Sequence, residues 1–227
     1  MKKLIIFDLD NTFYNYEPTH QKALVSVFEN QNFFNDESLF NHEYEKTKNI
    51  VQNRLISSPS KHSKLLYFKE MFEGILTLSE ISLLEEIYWN SFIQYADISK
   101  DVVNRLYESK QNADIYVLCT NQNTQIQLNK ISSWGLDLFD FVITSEEIGY
   151  EKPNKLFFNY VEEKLQKIDV SSFKVYALGD DLENDIKYWK ENYAASSFLI
   201  DNSIESFENI NGIIYTNITK AVHDITN

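Results

Sequence analysis

Little in this chain comes from covalent or compositional constraint. A single cysteine, Cys119, rules out an intrachain disulfide and suits a reducing cytoplasm. Cys119 lies in the apolar run IYVLCT, Ile115 to Thr120, where a small buried residue is expected rather than a reactive thiol. With five glycines and three prolines there is no Gly- or Pro-rich linker, and no segment repeats or falls to low complexity. Positive charge is in deficit. Lys and Arg total 21 against 34 Asp and Glu, a net charge of -13 and a pI near 4.7. Such a chain is a poor partner for a nucleic-acid backbone or an anionic membrane. No apolar run has the length of a bilayer span. Lys2 and Lys3 ahead of Leu4 to Phe7 imitate the start of a signal peptide, but Asp8 ends that run too early for one. A cytoplasmic protein is expected.

What is present is ample core material, with 43% hydrophobic residues in 227. That allows one large domain or two small ones. The chain opens on LIIFDLDNT, Leu4 to Thr12. Its apolar run reads as a short buried strand, and Asp8 and Asp10 follow at i and i+2 where the strand ends. In extended chain those positions point the same way. Two carboxylates on one side repel, and a divalent cation or a shared proton would let them coexist.

From Glu17 to about Tyr95 the pattern is helical. Ala23, Leu24, Val27 and Phe28 share a face. Phe40, Tyr44, Thr47, Val51 and Leu55 step by three and four behind an N-cap at Asp36. Ser58-Pro59 has the form of an N-cap with proline at the first helical position. Thr77 and Glu80 have capping-box spacing. This stretch is expected to form a helical domain, residues 15–96.

After Ser99 strands and helices alternate. Val102, Val103 and Leu106 mark a helix, then IYVLCT a strand covered on both faces. A helix from about Asn123 closes at Gly135 in a left-handed cap. Phe139 to Thr144 is a strand, Asn154 to about Gln166 a helix, and Phe173 to Asp180 a third apolar strand. A helix with Ile186 and Trp189 follows, then strands at Phe198 to Ile200 and Ile213 to Tyr215, and a C-terminal helix. The expected fold is α/β, a Rossmann-like parallel sheet with helices on both faces, built from residues 1–14 and 97–227. Ligands of such sheets bind beyond the carboxyl ends of the strands.

The polar residues of interest fall at those ends. Asp8 is a candidate nucleophile, since a carboxylate can accept a phosphoryl group as an acyl phosphate that water then hydrolyses. Asp10 is a candidate acid and base, with a pKa raised by its proximity to Asp8. Thr120 and Asn121 offer a hydroxyl and the amides of a helix start to an anion. Lys152 precedes Pro153, which is expected to begin a helix. A cation there opposes the macrodipole and is better explained by a facing anion. GDDLEND, Gly179 to Asp185, gathers carboxylates suited to Mg²⁺ around a tight bend that Gly179 permits. Each signal alone also fits a plain structural role: an acidic strand end, a helix cap, a surface lysine, an acidic helix start.

Taken in order, these motifs are specific. The chain resembles the haloacid dehalogenase-like (HAD) superfamily over its core, and the helical insert resembles a C1-type cap. The resemblance implies Asp8 as nucleophile and Mg²⁺ ligand. It implies Asp10 as general acid/base whose backbone carbonyl also reaches the metal. Thr120, with Asn121 beside it, would bind the phosphoryl group, and Lys152 would neutralise nucleophile and phosphate. Asp180 would be the principal metal ligand of the last motif. Asp185 would support the site through water or Lys152, with Asp181 in an outer position and Thr12 fixing the first loop. The dehalogenase branch lacks the second acid, so Asp10 favours phosphoryl transfer. The implied activity is Mg²⁺-dependent hydrolysis of a small phosphorylated metabolite, a nucleotide or sugar phosphate. A phosphomutase and a non-catalytic binding module are the alternatives.

Leaving-group contacts are sought near Tyr14, Tyr16 and His20, and in the insert at Arg54, Lys61, His62 and Lys64. For His20 a surface or hinge position is the simpler expectation, for the lysines near His62 a solvated helix face, and for the aromatics core packing.

Overall fold

The computed structural model describes residues 2–111, 113–166 and 168–227. Met1, Asn112 and Lys167, which fall inside the expected core range, lie outside the described residues. The chain divides into two compact units, Met1–Asn15 with Asp97–Asn227, and Tyr16–Ala96.

The first strand, β1 (Lys2–Phe7), is flanked by parallel partners on both sides. Leu4, Ile5, Ile6 and Phe7 are therefore all buried, and the run is continuously apolar rather than alternating.

The unit Tyr16–Ala96 is helical. It holds α1 (Tyr16–Asn30), α2 (Glu37–Arg54), α3 (Lys64–Met71) and α4 (Leu78–Tyr95). Asp36 caps α2 by accepting from the Leu39 amide. Thr77 and Glu80 form both bonds of a capping box at the start of α4. Pro59 begins not a long helix but a 3-10 turn, Pro59–His62, after which Ser63 caps α3 separately. The unit's core is aromatic: Phe40, Tyr44, Phe68, Phe72, Tyr88 and Phe92 are fully buried. His20 belongs to this core rather than to a surface or hinge, with Nδ1 2.7 Å from the Tyr88 hydroxyl. Burial, with Lys64 nearby, pushes its pKa down to about 3. Lys64 is buried rather than solvated, and donates to the Tyr16 hydroxyl over 3.2 Å. Arg54 pairs with Glu70 on the surface.

The larger unit continues with α5 (Lys100–Ser109), β2 (Ile115–Thr120), α6 (Thr124–Ser133), β3 (Phe141–Thr144), a single turn α7 (Ser145–Ile148), α8 (Lys155–Leu165) and β4 (Phe173–Gly179). A π-type turn at Leu182–Ile186 leads into α9 (Lys187–Tyr193), then β5 (Ser196–Ile200), β6 (Glu208–Ile210), β7 (Ile213–Thr216) and α10 (Ile218–Thr226). Among the described residues, seven strands form one sheet in the order β3-β2-β1-β4-β5-β7-β6. All neighbours are parallel except β6 and β7. The short antiparallel edge strand β6 and the turn α7 have no sequence-level counterpart. The fold is α/β with a mostly parallel sheet, as expected.

Side-chain alternation divides the sheet core. Leu4 and Ile6 join Val117, Val175 and Ala177 in a cluster closed by Phe157 and Val161 of α8 and Trp189 of α9. Phe7 faces the other way, its ring against Tyr116 and Phe139. Chain direction across the sheet reverses beside β1, with β2 and β3 on one side and β4 and β5 on the other. That is the crevice where open α/β sheets place ligands.

Candidate active site

Register brings the acids together. Phe7, the last residue of β1, is level with Leu118 of β2 and Leu178 of β4. Asp8, Thr120 and Asp180 therefore leave the sheet at the same edge. Asp8 donates its amide to the Leu178 carbonyl over 2.9 Å, which continues the ladder one residue past the strand. Asp8, Asp10, Thr120, Asn121, Lys152, Asp180, Asp181 and Asp185 line one cleft of about 180 Å³, together with Asn184.

Lys152 is the hub. Its ammonium donates to Asp8 Oδ1 over 2.8 Å, Asp185 Oδ1 over 2.6 Å and the Cys119 carbonyl over 2.7 Å. An ammonium has three protons, and all are used. Burial opposes the charge, yet Asp185 and Asp8 outweigh it and hold the lysine well above its ordinary pKa. Lys152 does not stand at a helix start as expected. The Lys152-Pro153 bond is cis, and α8 begins only at Lys155, capped by Asn154, which accepts from the Leu156 amide. Pro153 thus lies in the turn before the helix.

Asn121 explains how a loop lysine is held. Its side chain donates to the Lys152 carbonyl over 3.0 Å and accepts from the Lys152 amide over 2.8 Å. Both ends of the amide are occupied by the backbone of Lys152. The Asn121 side chain therefore fixes the backbone of the lysine.

Asp8 Oδ2 accepts from the Thr12 hydroxyl over 3.0 Å. Burial raises the Asp8 pKa to about 7; Lys152 lowers it and Asp185 raises it. Asp180 is raised to about 6 by burial and by Asp8, against the hydrogen bond it accepts from Asn11 over 2.9 Å. Asp185 is buried and also raised. Its Oδ2 accepts from the Asp181 amide over 3.0 Å, so with Lys152 on Oδ1 both oxygens are engaged. Asp181 caps the π-type turn, its Oδ1 accepting from the Glu183 and Asn184 amides.

Ligand atoms of Asp8, Asp180 and Asp185 all lie within 4.8 Å of one another. If ionised, three carboxylates against one ammonium leave an excess of two negative charges. Hard oxygen donors with that excess fit a divalent cation such as Mg²⁺. Both oxygens of Asp8 and both of Asp185 already accept hydrogen bonds, whereas Asp180 accepts from Asn11 on one oxygen; each of the three still has an oxygen placed for such a cation.

Gly179 contributes space rather than an unusual turn. A Cβ there would fall 2.2 Å from Asp185 Cβ and 2.5 Å from its Cγ. Gly179→Ala is expected to push Asp185 off Lys152. Misplacement of this kind costs roughly 10²-fold in turnover, and overpacking about 1–3 kcal/mol of stability. Steady-state kinetics and a thermal melt check both; wild-type values in both would show that Asp185 can move without consequence.

Asp10 has surroundings of its own. Oδ1 accepts from Lys130 Nζ over 2.5 Å and from the Tyr14 hydroxyl, and Oδ2 from Gln127 Nε2 over 2.6 Å. Burial would raise its pKa, but Lys130, Tyr14 and Gln127 together bring it below the ordinary value. The expectation that Asp8 raises it is thus reversed, because three donors bind the charged form. Tyr14 proves to be an Asp10 partner within the core unit. Gln127 and Lys130 were not singled out from the sequence. Cys119 is buried, its thiol pushed up to about 12 by burial.

A family model described as haloacid dehalogenase-like hydrolase matches residues 2–190. The chain belongs to the haloacid dehalogenase-like hydrolase family. Among this hydrolase's relatives, the ribulose-1,5-bisphosphate 5-phosphatase of Halopiger xanaduensis is 31% identical over 193 residues, covering 82% of this chain and 80% of that protein. The glyceraldehyde 3-phosphate phosphatase of Methanocaldococcus jannaschii is 27% identical over 199 residues, covering 84% and 82%. Among solved structures, the HAD-hydrolase YfnB of Bacillus subtilis, bound to magnesium, superposes with a TM-score of 0.66 at 19% identity, covering 100% of this chain and 99% of that one. No helix among the described residues of the hydrolase is long and apolar enough to cross a membrane.

Proposed function

We propose that this hydrolase is a Mg²⁺-dependent phosphatase acting on a small phosphate monoester, a sugar phosphate or a nucleotide, through an aspartyl phosphate. The observation that carries it is the pair Asp8 and Asp10, two acids on one loop held by separate donors, Lys152 and Lys130. One acid suffices to displace a halide; two are needed when the leaving oxygen must also receive a proton.

In the first step an oxygen of Asp8 bonds to phosphorus as the ester P–O bond breaks, and Asp10 gives a proton to the departing oxygen. Asp10 is a carboxylate in the described geometry. Arrival of a dianionic ester favours its protonation by like-charge repulsion. In the second step water attacks phosphorus, Asp10 takes its proton, and Asp8 leaves as carboxylate with inorganic phosphate. Lys152 balances charge on Asp8 and the phosphoryl group, and the Thr120 hydroxyl donates to an equatorial oxygen. Thr12 orients Asp8. Asp185 orients Lys152, with Asp181 holding the turn that carries it, and Asn121 anchors the lysine's backbone. Asp8, Asp180 and the backbone carbonyl of Asp10 are assigned as the Mg²⁺ ligands. When bound, the cation supplies charge neutralisation and alignment of the phosphoryl oxygens.

The unit Tyr16–Ala96 is assigned as a C1-type cap that selects the leaving group. The substrate class draws on the Halopiger ribulose-1,5-bisphosphate 5-phosphatase and the Methanocaldococcus glyceraldehyde 3-phosphate phosphatase. A cytoplasmic location fits the acidic composition and single reduced thiol.

The test is phosphate release from a panel of sugar phosphates and nucleotides with and without Mg²⁺. Free phosphate in equal amount to free alcohol is expected. An isomerised sugar phosphate without free phosphate would make the protein a mutase. No Mg²⁺-dependent release from any ester would leave a binding module.

A further inference from the structure

The reaction outlined above leaves two buried side chains unexplained, both on α6. Gln127 and Lys130 are fully buried, although one is polar and the other charged. Lysine is almost never fully buried unless paired, and the pairing here is with Asp10. Gln127 Nε2 lies 2.6 Å from Asp10 Oδ2 and 2.6 Å from Thr120 Oγ1. One amide thus joins the acid on the β1 loop to the hydroxyl that ends β2. β2 and β3 are parallel, so α6 runs back along the sheet, and its side chains tilt toward its N-terminus, at the strand ends. Positions three apart share a helix face. Successive turns therefore aim at the same carboxylate.

We infer that Gln127 and Lys130 are positioning residues, which set Asp10 for proton transfer to the leaving oxygen and turn the Thr120 hydroxyl toward the phosphoryl group. This rests on the phosphatase reading. A carboxylate only accepts, so Gln127 must present its NH₂ to Asp10. The same NH₂ donates to Thr120 Oγ1, which leaves the threonine's own hydrogen free to donate to an anion. Lys130 and Tyr14 take the other oxygen, Oδ1. With one oxygen held on each side, the Asp10 carboxyl cannot rotate. When the P–O bond breaks, the proton passes from a carboxyl of fixed orientation to the departing oxygen. When water attacks, the same oxygen recovers it.

Leaving groups separate positioning from mere stability. Up to the first irreversible step, an alkyl ester needs the proton from Asp10, whereas a nitrophenyl ester departs with little help. Gln127→Met and Lys130→Met keep the volume and remove the donors. In the Mg²⁺-loaded protein, each is expected to lower the ratio of kcat/KM for glycerol 3-phosphate to kcat/KM for p-nitrophenyl phosphate by more than about tenfold, since general acid catalysis is worth on the order of 10²–10⁴-fold. This ratio does not depend on the fraction of folded enzyme. Ile131→Val, on the same buried face, is the control and should leave it unchanged. A second readout needs no turnover. Inorganic phosphate, titrated by calorimetry, should bind several-fold more weakly to Gln127→Met, where Thr120 is no longer turned. A parallel fall for both esters, or wild-type phosphate affinity in Gln127→Met, overturns the inference while the phosphatase reading stands. A wild-type protein that, with Mg²⁺ present, releases phosphate neither from these two esters nor from any of the sugar phosphates and nucleotides removes both.

Discussion

Asp8→Asn is expected to leave a folded protein without turnover. The amide has the shape of the carboxylate, so Oδ1 can still accept from Lys152 and the remaining atoms fill the same space. What it lacks is a nucleophilic oxygen, and a variant without the nucleophile loses the covalent path outright, by at least about 10³-fold. The effect of the substitution on folding runs the opposite way. Burial raises the Asp8 pKa to about 7 in the folded chain against an ordinary value of 3.8. A carboxyl with a raised folded-state pKa favours folding below its unfolded pKa, and that contribution disappears as pH rises through the folded value. In metal-free buffer Asp8→Asn should therefore melt at or above the wild type at pH 8, and the difference should shrink toward pH 4. Phosphate release and a pair of melting curves check both halves. Turnover near wild type would reject Asp8 as the nucleophile. A protein already unfolded at pH 8 would reject the electrostatic account of the site.

The residues at strand ends were legible because the code there is short. A buried parallel strand is a continuous apolar run, and the first polar residue after it must stand at the sheet's edge. That placed Asp8, Thr120 and Asp180 without any knowledge of contacts. Lys152 was found for an incorrect reason. Its presumed place at a helix start does not exist, since Asn154 caps the helix two residues later; its burial comes from Asn121, Asp8 and Asp185, which are distant in sequence. Asp185 could be seen as an acid but not as one wedged over Gly179, because a bare glycine reads first as a turn. The Asp10 partners were missed for a different reason. Gln127, Lys130, Ile131 and Trp134 fall at i, i+3, i+4 and i+7, and Leu128 is turned out to solvent. The period of α6 thus put a glutamine and a lysine on its buried face. Polar residues at core positions of an amphipathic helix are the signal that would have found them.

Lys152→Met should damage both function and fold, and should change how the protein responds to metal. The wild-type lysine is the cation shared by Asp8 and Asp185, with all three side chains nearly sequestered from water. Removing one partner of a buried ion pair costs about 3–5 kcal/mol, because the other charge stays behind unpaired. Here two carboxylates are left. They sit with Asp180 within 4.8 Å of one another, so the excess of negative charge grows by one. In metal-free buffer the melting temperature should fall by several degrees or more, the scale on which about 1 kcal/mol moves a domain of this size by roughly 2–4 °C. Mg²⁺ binds the folded form and raises stability by mass action. With the internal cation gone, the more negative cluster should bind Mg²⁺ more tightly. The gain in melting temperature on adding millimolar Mg²⁺ should therefore exceed that of the wild type. Turnover should not return with it. Mg²⁺ replaces charge, but it cannot reproduce an ammonium held by the Cys119 carbonyl at the edge of β2. Four melting curves, of wild type and variant without and with Mg²⁺, and one rate thus separate the lysine's electrostatic part from its place in the reaction. A variant with wild-type stability and an unchanged response to Mg²⁺ would mean that the three carboxylates do not share one field.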